Sequence, residues 1–238
     1  MEEKRCAAII LAGGSGKRMG QDVPKQLMEI AGHPVLYYSI RVFEESCVSD
    51  IVIVSEESLK DRIRELVEKY AFTKVRCIVP GGSERYESVH EGLKAVDVLG
   101  GCDIVLIHDS ARPCVTAELI KRNIECAGET GACITAVRAK DTVKIADEQG
   151  IIVSTPPRDR LWIAQTPQTF DFELIKNAYE QVIVSGRTDI TDDAMVLEAA
   201  GGRPCRIVEG DYNNIKLTTK EDIEIIENIL RKAEPEHE

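Results

Sequence analysis

Short apolar runs rich in β-branched residues recur along the chain and alternate with segments whose apolar residues are three or four positions apart. Five runs stand out, and they are CAAIILA (6–12), DIVIVS (50–55), VRCIV (75–79), DIVLIH (103–108) and ACITAVR (132–138). Runs that are apolar on both faces are typical of strands buried between layers of helices. The alternation therefore predicts an α/β fold, with a mostly parallel, twisted sheet flanked by helices.

Two helices are predicted from residue spacing, because apolar residues three or four positions apart share one face of a helix. The stripes are Tyr86, Val89, Leu93 and Val96 in the first helix, and Ile223, Ile226 and Leu230 in the second. Gly100 and Gly101 end the first helix. Thr218 and Glu221 have the spacing of a capping box at the start of the second.

Residues 139–160 differ from the rest of the chain. This segment has short alternating apolar runs, a turn-like DEQG, a pair of prolines and mixed charges. The pattern is typical of a β-hairpin that leaves the main sheet. We therefore predict one domain over residues 1–238, from which residues 139–160 project as a β-arm that serves as an interaction element.

The composition limits the partners and the location. The chain has 238 residues, with 30 Lys and Arg against 41 Asp and Glu, and a formal net charge of -11. A strongly acidic surface repels the phosphates of nucleic acids and anionic membranes, so we expect neither as a partner. No segment approaches the roughly 20 apolar residues of a membrane span, and we expect a soluble, cytoplasmic protein.

The cysteines do not indicate a metal site or a disulfide framework. They are eight in number and lie singly at positions 6, 47, 77, 102, 114, 126, 133 and 205, without a CxxC pair. Zinc ribbons need paired ligands, which this spacing lacks. Since several lie in or beside apolar runs, we expect buried, reduced thiols that pack as small apolar residues.

A glycine-rich loop follows the first apolar run. It contains Gly13, Gly14, Gly16, Lys17 and Arg18, and Lys25 follows shortly after. Glycine lets backbone N–H groups approach a phosphate closely, because no Cβ intervenes. The spacing matches neither a Walker loop nor the GxGxxG dinucleotide fingerprint. We interpret the loop as a triphosphate site, because its three cations would offset much of the roughly four negative charges of a nucleoside triphosphate.

Polar residues that follow the other predicted strands are further candidates, because ligands in open α/β sheets bind beyond the carboxyl ends of strands. After the third run, Gly82 permits close backbone approach, and Ser83 and Ser88 offer hydroxyls to a base edge. The alternative for Ser83 is the capping of the following helix. Both interpretations are compatible.

A second set of candidates concerns the metal and the acceptor. Asp109 follows the fourth run and is a candidate Mg²⁺ ligand beside a triphosphate, although pairing with Arg112 alone is the alternative. His108 is expected to be structural. Lys216 lies at a late strand end, and Thr191 is a candidate helix cap.

Together these blocks resemble the 2-C-methyl-D-erythritol 4-phosphate cytidylyltransferase family of the non-mevalonate isoprenoid pathway. The matching blocks are AGGSGKRM, PKQL, GGSERYESV, VHEGL, HDSARP, TPQTF, TDDA and NIKLTT, in the family's order across nearly the whole chain. The resemblance implies a Rossmann-like nucleotidyltransferase fold, CTP and a polyol phosphate as substrates, and a divalent metal, normally Mg²⁺. It also implies a homodimer whose β-arms embrace.

The resemblance assigns roles to individual residues. The cytidine pocket would be formed by Ala12, Gly13, Gly14, Gly82, Ser83 and Ser88. Catalysis would fall to Arg18, Lys25 and Lys216, with Gly16 and Lys17 also at the nucleotide. The acceptor would be bound by Asp109, Arg112, Thr166 and Thr191, and by Thr142 and Arg158 from the partner's arm. Two positions depart from the common pattern, because residue 83 is Ser where some members carry Asp and residue 110 is Ser where many carry Ala.

These roles imply transfer of a cytidylyl group from CTP to 2-C-methyl-D-erythritol 4-phosphate. A phosphate monoester is already an oxyanion at neutral pH, so no general base is needed. The nearest alternative is a pentitol (ribitol) 5-phosphate cytidylyltransferase. A CTP-binding module without turnover and a NAD-dependent oxidoreductase are alternatives of other classes, and the glycine spacing argues against the second.

Overall fold

A computed structural model describes residues 4–13 and 24–233 of the chain. In chain order, its strands and helices are β1 (Cys6–Ala12), β2 (Glu29–Ile30), β3 (His33–Pro34), α1 (Val35–Glu44), β4 (Asp50–Ser55), α2 (Lys60–Lys69), β5 (Val75–Pro80), α3 (Arg85–Val98), β6 (Ile104–Asp109), α4 (Ala117–Thr130), β7 (Ala132–Arg138), β8 (Ile145–Ala146), β9 (Ile152–Ser154), β10 (Trp162–Asp171), α5 (Phe172–Ser185), α6 (Asp193–Ala199), β11 (Arg206–Glu209) and α7 (Glu221–Ala233). All five predicted runs are strands.

The main sheet has seven strands in the order β11-β7-β10-β6-β1-β4-β5. Strand β1 pairs in parallel with both β4 and β6, and β5 pairs in parallel with β4. Strand β10 alone in this sheet runs antiparallel to its neighbours β6 and β7. The fold is thus a mostly parallel α/β sheet, as predicted, and the carboxyl ends of β1, β4, β5 and β6 meet at one edge.

Helices cover both faces of the sheet, because side chains of successive strand residues point to opposite faces. In β1, Ala8 and Ile10 face the layer of α1, α2 and α4, whereas Ile9 and Leu11 face the layer of α3, α5 and α6. The stripe predicted for α3 is buried in the second layer. Helix α7 buries Ile226 and Leu230 in a third cluster with residues of β2 and α1.

Three predicted helix starts need correction. Ser83 is not the cap of α3, which begins at Arg85 with Glu84 as the preceding cap residue. The cap of α6 is Asp192, whose carboxylate accepts a hydrogen bond from the N–H of Met195 at 3.0 Å, and not Thr191. Before α7, the backbone and hydroxyl of Thr218 donate to Asp222 rather than to Glu221. In each case the role belongs to an acidic residue, and Asp222 accepts from the backbone N–H groups of both Thr218 and Thr219.

The predicted arm forms a small antiparallel pair, β8 and β9, which is separate from the main sheet. Its apolar side chains are unusually open to solvent, and Ile145, Ile152 and Val153 are 50%, 60% and 66% exposed. Two-stranded hairpins of this kind are marginal in water on their own. The arm therefore leaves an apolar surface uncovered in the single chain.

The described residues also bear on the expectations from composition. None of their helices is both long and apolar enough to cross a membrane. All eight cysteines are free, and Cys6, Cys114 and Cys133 are buried as expected. Cys47 differs from that expectation because it is exposed.

Helix α3 lies unusually close to the sheet at Gly92. A Cβ added there would lie 2.6 Å from Cγ2 of Ile9 and 3.1 Å from Cγ2 of Val54, which are both buried. We predict that Gly92→Ala lowers the free energy of unfolding by about 1–3 kcal/mol through overpacking. Denaturant unfolding followed by circular dichroism measures this change.

Gly128 of α4 provides the matched control. A Cβ added there meets first the flexible end of Lys4, at 3.3 Å. Gly128→Ala should leave the free energy of unfolding unchanged or raise it by up to about 1 kcal/mol, since Ala is the better helix former. Equal effects of the two substitutions would contradict the close packing at Gly92.

Candidate functional site

A pocket of about 390 Å³ lies at the edge where the carboxyl ends of the parallel strands meet. The described residues that line it are Leu11, Gly13, Lys25, Val54, Ser55, Glu56, Gly81, Gly82, Ser83, Glu84, Arg85, Ser88, Asp109, Ala111 and Lys216. They come from the ends of β1, β4, β5 and β6 and from two segments distant in sequence. This is the position at which open α/β sheets bind ligands.

The turn after β5 is held by the first turn of α3. The Glu87 carboxylate accepts hydrogen bonds from the backbone N–H of Ser83 at 2.8 Å, the hydroxyl of Ser83 at 2.6 Å and the N–H of Glu84 at 3.1 Å. The pKa of Glu87 is lowered, first by the Ser83 hydroxyl. A carboxylate only accepts, so the Ser83 hydroxyl hydrogen points at Glu87. The lone pairs of the Ser83 oxygen can then accept hydrogen bonds from a ligand.

The glycines of this turn are required by close contacts. A Cβ at Gly82 would lie 2.3 Å from Cβ of Glu87, and one at Gly81 would lie 2.7 Å from Oγ of Ser88. The N–H of Gly82 donates to that same Oγ at 3.1 Å, and the Ser88 hydroxyl donates to the Glu84 carbonyl at 3.1 Å. Both predicted serines therefore line the pocket with hydroxyls that are already oriented by the chain.

Lys25 lies at the start of a short 3-10 helix, Lys25–Leu27, that returns the chain to the end of β1. The next residue, Gln26, is almost completely buried and donates its side-chain amide to the Ala12 carbonyl at 2.7 Å. This bond joins the 3-10 helix to the last residue of β1. Lys25 is consequently on the wall of the pocket that also contains Gly13.

Asp109 is the anion at the centre of the site. Its Oδ2 accepts from Lys216 Nζ at 2.6 Å, and its Oδ1 accepts from Arg85 Nε at 3.2 Å. Burial opposes its charge, but Arg85 and Lys216 outweigh the burial and hold the pKa of Asp109 well below the ordinary value. Asp109 is therefore ionised at neutral pH.

Behind Asp109, a chain of hydrogen bonds fixes the turn that follows β6. The Asp109 N–H donates to Thr166 Oγ1 at 3.1 Å, and Thr166 Oγ1 lies 3.0 Å from His108 Nδ1. His108 Nε2 lies 3.2 Å from the Arg112 carbonyl, which only accepts, so Nε2 carries the proton and Thr166 donates to Nδ1. Burial lowers the pKa of His108 to about 4. His108 is thus neutral and structural.

Arg112 and Asn214 connect this turn to the loop that bears Lys216. Arg112 donates to the Asn214 carbonyl at 2.7 Å, and the Asn214 amide donates to the Thr166 carbonyl at 2.9 Å. The N–H of Leu217 donates to the Ala111 carbonyl at 2.7 Å. These bonds fix the backbone on both sides of Lys216, so that its ammonium group reaches Asp109.

The structure brings together many of the predicted site residues, but not all of them. Those that line the pocket are Gly13, Lys25, Gly82, Ser83, Ser88, Asp109 and Lys216. Ala12 ends β1 beside them, and Arg112 and Thr166 support Asp109 from behind. Gly14, Gly16, Lys17 and Arg18 lie outside the described residues.

Of the six predicted acceptor-binding residues, only Asp109 lines the described pocket wall; besides Arg112 and Thr166 behind it, the other three lie elsewhere. Thr142 and Arg158 lie in the exposed arm, where Arg158 donates to the Lys140 carbonyl at 3.0 Å. Thr191 lies before α6, and its side chain is exposed. Their roles stay predictions.

Arg85 is a pocket residue that sequence reasoning missed, although it lies within the quoted block GGSERYESV. Its guanidinium donates to both oxygens of Asp193 at 2.8 Å and contacts Asp109 as well. An Arg in the first turn of a helix has no distinctive sequence pattern. The surrounding carboxylates become visible only in the fold.

The prediction that Asp109 ligates Mg²⁺ does not fit this arrangement. Both of its oxygens already contact cations, Lys216 and Arg85. Among residues 4–13 and 24–233, no group of three or more His, Cys, Asp and Glu side chains is suitable to hold a metal ion. A Mg²⁺ ion in this pocket would therefore take most of its ligands from a bound phosphate and from water.

Comparisons with known proteins agree with the sequence blocks. A sequence model of the 2-C-methyl-D-erythritol 4-phosphate cytidylyltransferase family matches residues 6–232. A relative of that name from Alkaliphilus oremlandii is 47% identical over 232 residues, which cover 95% of each chain. The solved structure of 4-diphosphocytidyl-2C-methyl-D-erythritol synthase from Anaerococcus prevotii is similar with a TM-score of 0.84 and 36% identity, covering 96% of each chain.

The buried His108 predicts a pH dependence of stability. Its pKa is about 4 in the folded protein against 6.5 when unperturbed, so unfolding takes up a proton between these values. Stability should fall as the pH drops from 6.5 towards 4, and the histidine should contribute about 2 kcal/mol of that loss by pH 5.

Urea unfolding of the native chain and of His108→Gln at pH 7.5 and pH 5 measures this contribution. The loss of unfolding free energy between the two pH values should be smaller in the variant by about 2 kcal/mol. The same loss in both proteins would show that His108 does not titrate as its burial requires.

Proposed function

The chain belongs to the 2-C-methyl-D-erythritol 4-phosphate cytidylyltransferase family, and from this premise we propose that it transfers a cytidylyl group from CTP to 2-C-methyl-D-erythritol 4-phosphate. The products are 4-diphosphocytidyl-2-C-methyl-D-erythritol and pyrophosphate, in the synthesis of isoprenoid precursors by the non-mevalonate route. One observation connects the proposed activity with this pocket. Residues from separate sequence blocks, among them Gly13, Lys25, Ser83, Asp109 and Lys216, line a single pocket.

The nucleotide half of the site is formed by β1 and by the turn after β5. Gly82, Ser83 and Ser88 are assigned to the base, and Ser83 is oriented so that its oxygen accepts. An acceptor is complementary to the exocyclic amino group of cytosine and repels the carbonyl that uracil has at the same position. The geometry of this turn therefore supports CTP over UTP.

The reaction needs positioning and charge compensation rather than proton transfer. An oxygen of the acceptor phosphate forms a bond to the α-phosphorus of CTP, while the bond from that phosphorus to the bridging oxygen breaks. The electron pair of the broken bond leaves with pyrophosphate, and no proton moves because the attacking oxygen is already ionised. Arg18, Lys25 and Lys216 are proposed to stabilise the negative charge that develops in the transition state.

The acceptor half is proposed to lie beside Asp109. The Asp109 carboxylate would accept hydrogen bonds from hydroxyls of the polyol, with Arg112, Thr166 and Thr191 as further acceptor-binding residues. Mg²⁺ is proposed to enter the site on the phosphate oxygens of the nucleotide, which suit this ion. Binding of Mg²⁺ through these phosphate oxygens does not need Asp109 as a ligand.

A homodimer is proposed to complete the site. The apolar side chains of the arm are exposed in one chain, and a second copy would cover them. Thr142 and Arg158 lie on the same arm and do not belong to the described wall of their own chain's pocket. We therefore propose that each arm carries Thr142 and Arg158 to the partner's acceptor site.

The test of the activity is pyrophosphate release by the purified chain with Mg²⁺ and CTP. We expect release with 2-C-methyl-D-erythritol 4-phosphate, little release with ribitol 5-phosphate, and a strong preference for CTP over ATP, GTP and UTP. Release with ribitol 5-phosphate alone would assign the chain a different acceptor. No release with either acceptor would refute enzymatic turnover and favour a module that only binds CTP.

The shared site predicts that two impaired variants restore each other when activity is measured with the acceptor well below its KM for Arg158→Ala. Lys25→Ala should lower kcat by about a hundredfold, the effect of removing one transition-state donor. Arg158→Ala should mainly raise the KM for the acceptor. In a co-expressed mixture, heterodimers would contain one site with both side chains intact, so activity should recover to about a quarter of the native value.

Two controls make this prediction specific. A mixture of Lys25→Ala and Lys216→Ala chains should stay inactive, because both lysines belong to the pocket of one chain. Lys94→Ala should keep full activity, since Lys94 is an exposed residue of α3 that pairs with Glu91. An absence of recovery in the mixture of Lys25→Ala and Arg158→Ala chains would exclude a contribution of Arg158 in trans.

A further inference from the structure

We propose that Arg85 is a positioning residue for the acceptor site, and that it transmits the rigid geometry of the buried Asp193 to the Asp109 carboxylate. This inference rests on the proposed function, since it takes Asp109 as the group that contacts the polyol. Arg85 is the first residue of α3, on the nucleotide side of the pocket, whereas Asp193 is the first residue of α6. The Arg85 side chain therefore connects the two sides of the site.

The fixed end of this connection is Asp193, whose side chain is completely buried. Tyr179 of α5 donates its hydroxyl to Asp193 Oδ1 at 2.6 Å. Gln168 of β10 accepts from the N–H of Asp193 at 2.9 Å and from the N–H of Ala194 at 3.1 Å. Contacts from two elements, α5 to the carboxylate and β10 to the backbone, thus determine where Asp193 lies.

Arg85 connects the fixed Asp193 carboxylate with Asp109 through hydrogen bonds to both. Its two terminal nitrogens each donate to one oxygen of Asp193 at 2.8 Å, which fixes the plane of the guanidinium. The third nitrogen, Nε, then donates to Oδ1 of Asp109 at 3.2 Å. Because Lys216 holds the other oxygen, the Asp109 carboxylate is constrained from both sides.

A lysine could not replace this function. Its ammonium is a single point charge, whereas the planar guanidinium offers separate donors in a rigid arrangement. With Lys at position 85, the charge of Asp193 would remain compensated, but the bridge to Asp109 would be lost. Arg85→Lys therefore separates charge compensation from positioning.

The functional consequence concerns acceptor binding. Without Arg85, the Asp109 carboxylate would be held by Lys216 alone and would lose hydrogen bonds to the polyol, which are present in both the ground state and the transition state. Such a loss raises the KM of the acceptor more than it lowers kcat. The KM of CTP should change little, because the base and the triphosphate are held by other residues.

The experiment measures steady-state kinetics and melting temperature for the full-length chain and three variants, Arg85→Lys, Arg85→Gln and Arg85→Gln/Asp193→Asn. Arg85→Gln should melt at a lower temperature, because it leaves Asp193 as a buried charge without its cation. The double variant removes both charges and should recover most of the melting temperature. All three should raise the KM of the acceptor by about tenfold or more, and that of CTP by less than about threefold.

Arg76→Gln is the matched control. The Asp50 carboxylate is also paired with two arginines, since Nη2 of Arg5 lies 2.8 Å from Oδ2 and Nε of Arg76 lies 2.6 Å from Oδ1. Asp50 lies at the opposite end of the sheet, where β4 begins. Arg76→Gln should leave both KM values unchanged.

Recovery of both stability and acceptor KM in the double variant would overturn the proposal and make Arg85 purely structural. An equal rise of both KM values in Arg85→Lys would also overturn it. Failure of the proposed function would look different, because the native chain itself would then show no turnover with the acceptor.

Discussion

The site depends on the compensation of one buried negative charge, that of Asp109. An ionised carboxylate out of contact with water is costly unless it is paired and hydrogen-bonded. Lys216 and Arg85 each bind one of its oxygens, and the backbone N–H of Asp109 donates to Thr166. These partners come from a late loop, from α3 and from β10. The requirements of a single carboxylate thus bring distant parts of the chain to one pocket.

The sheet topology makes this convergence possible. Strand β6 lies between β1 and β10, so the residue at its end has neighbours on both sides. The antiparallel β10 starts, rather than ends, near the ligand edge, and it therefore supplies Thr166 and Gln168 from its interior. Gln165, Thr166 and Gln168 of β10 are buried and hydrogen-bonded, whereas the buried hydroxyl of Thr169 has no partner among the described residues. Gln168 holds the first turn of α6.

Sequence reasoning found the elements that have a local pattern and missed those that depend on distant partners. The five apolar runs and the α3 stripe follow directly from the burial of strands and of one helix face. Strand β10 was not predicted, because its sequence contains Pro167 and several polar residues that alternation rules exclude from a strand. The role of Arg85 depends on Asp109 and Asp193, which are 24 and 108 residues away. The two cations that contact Asp109, which argue against its expected metal ligation, were not visible in the sequence for the same reason.

The chemistry explains why a site without a general base still needs so many charged groups. When the nucleophile is already an anion, the difficulty is to bring it to a second, highly charged phosphate. On this view Lys25 and Lys216 lower the repulsion between the substrates, and Asp109 serves a different purpose. In the proposed function, the Asp109 carboxylate limits the movement of Lys216 and accepts hydrogen bonds from the hydroxyls of the polyol. If Asp109 binds the polyol as proposed, its support by Arg85 contributes to substrate selection, because only a carboxylate with a defined orientation distinguishes one arrangement of hydroxyls from another.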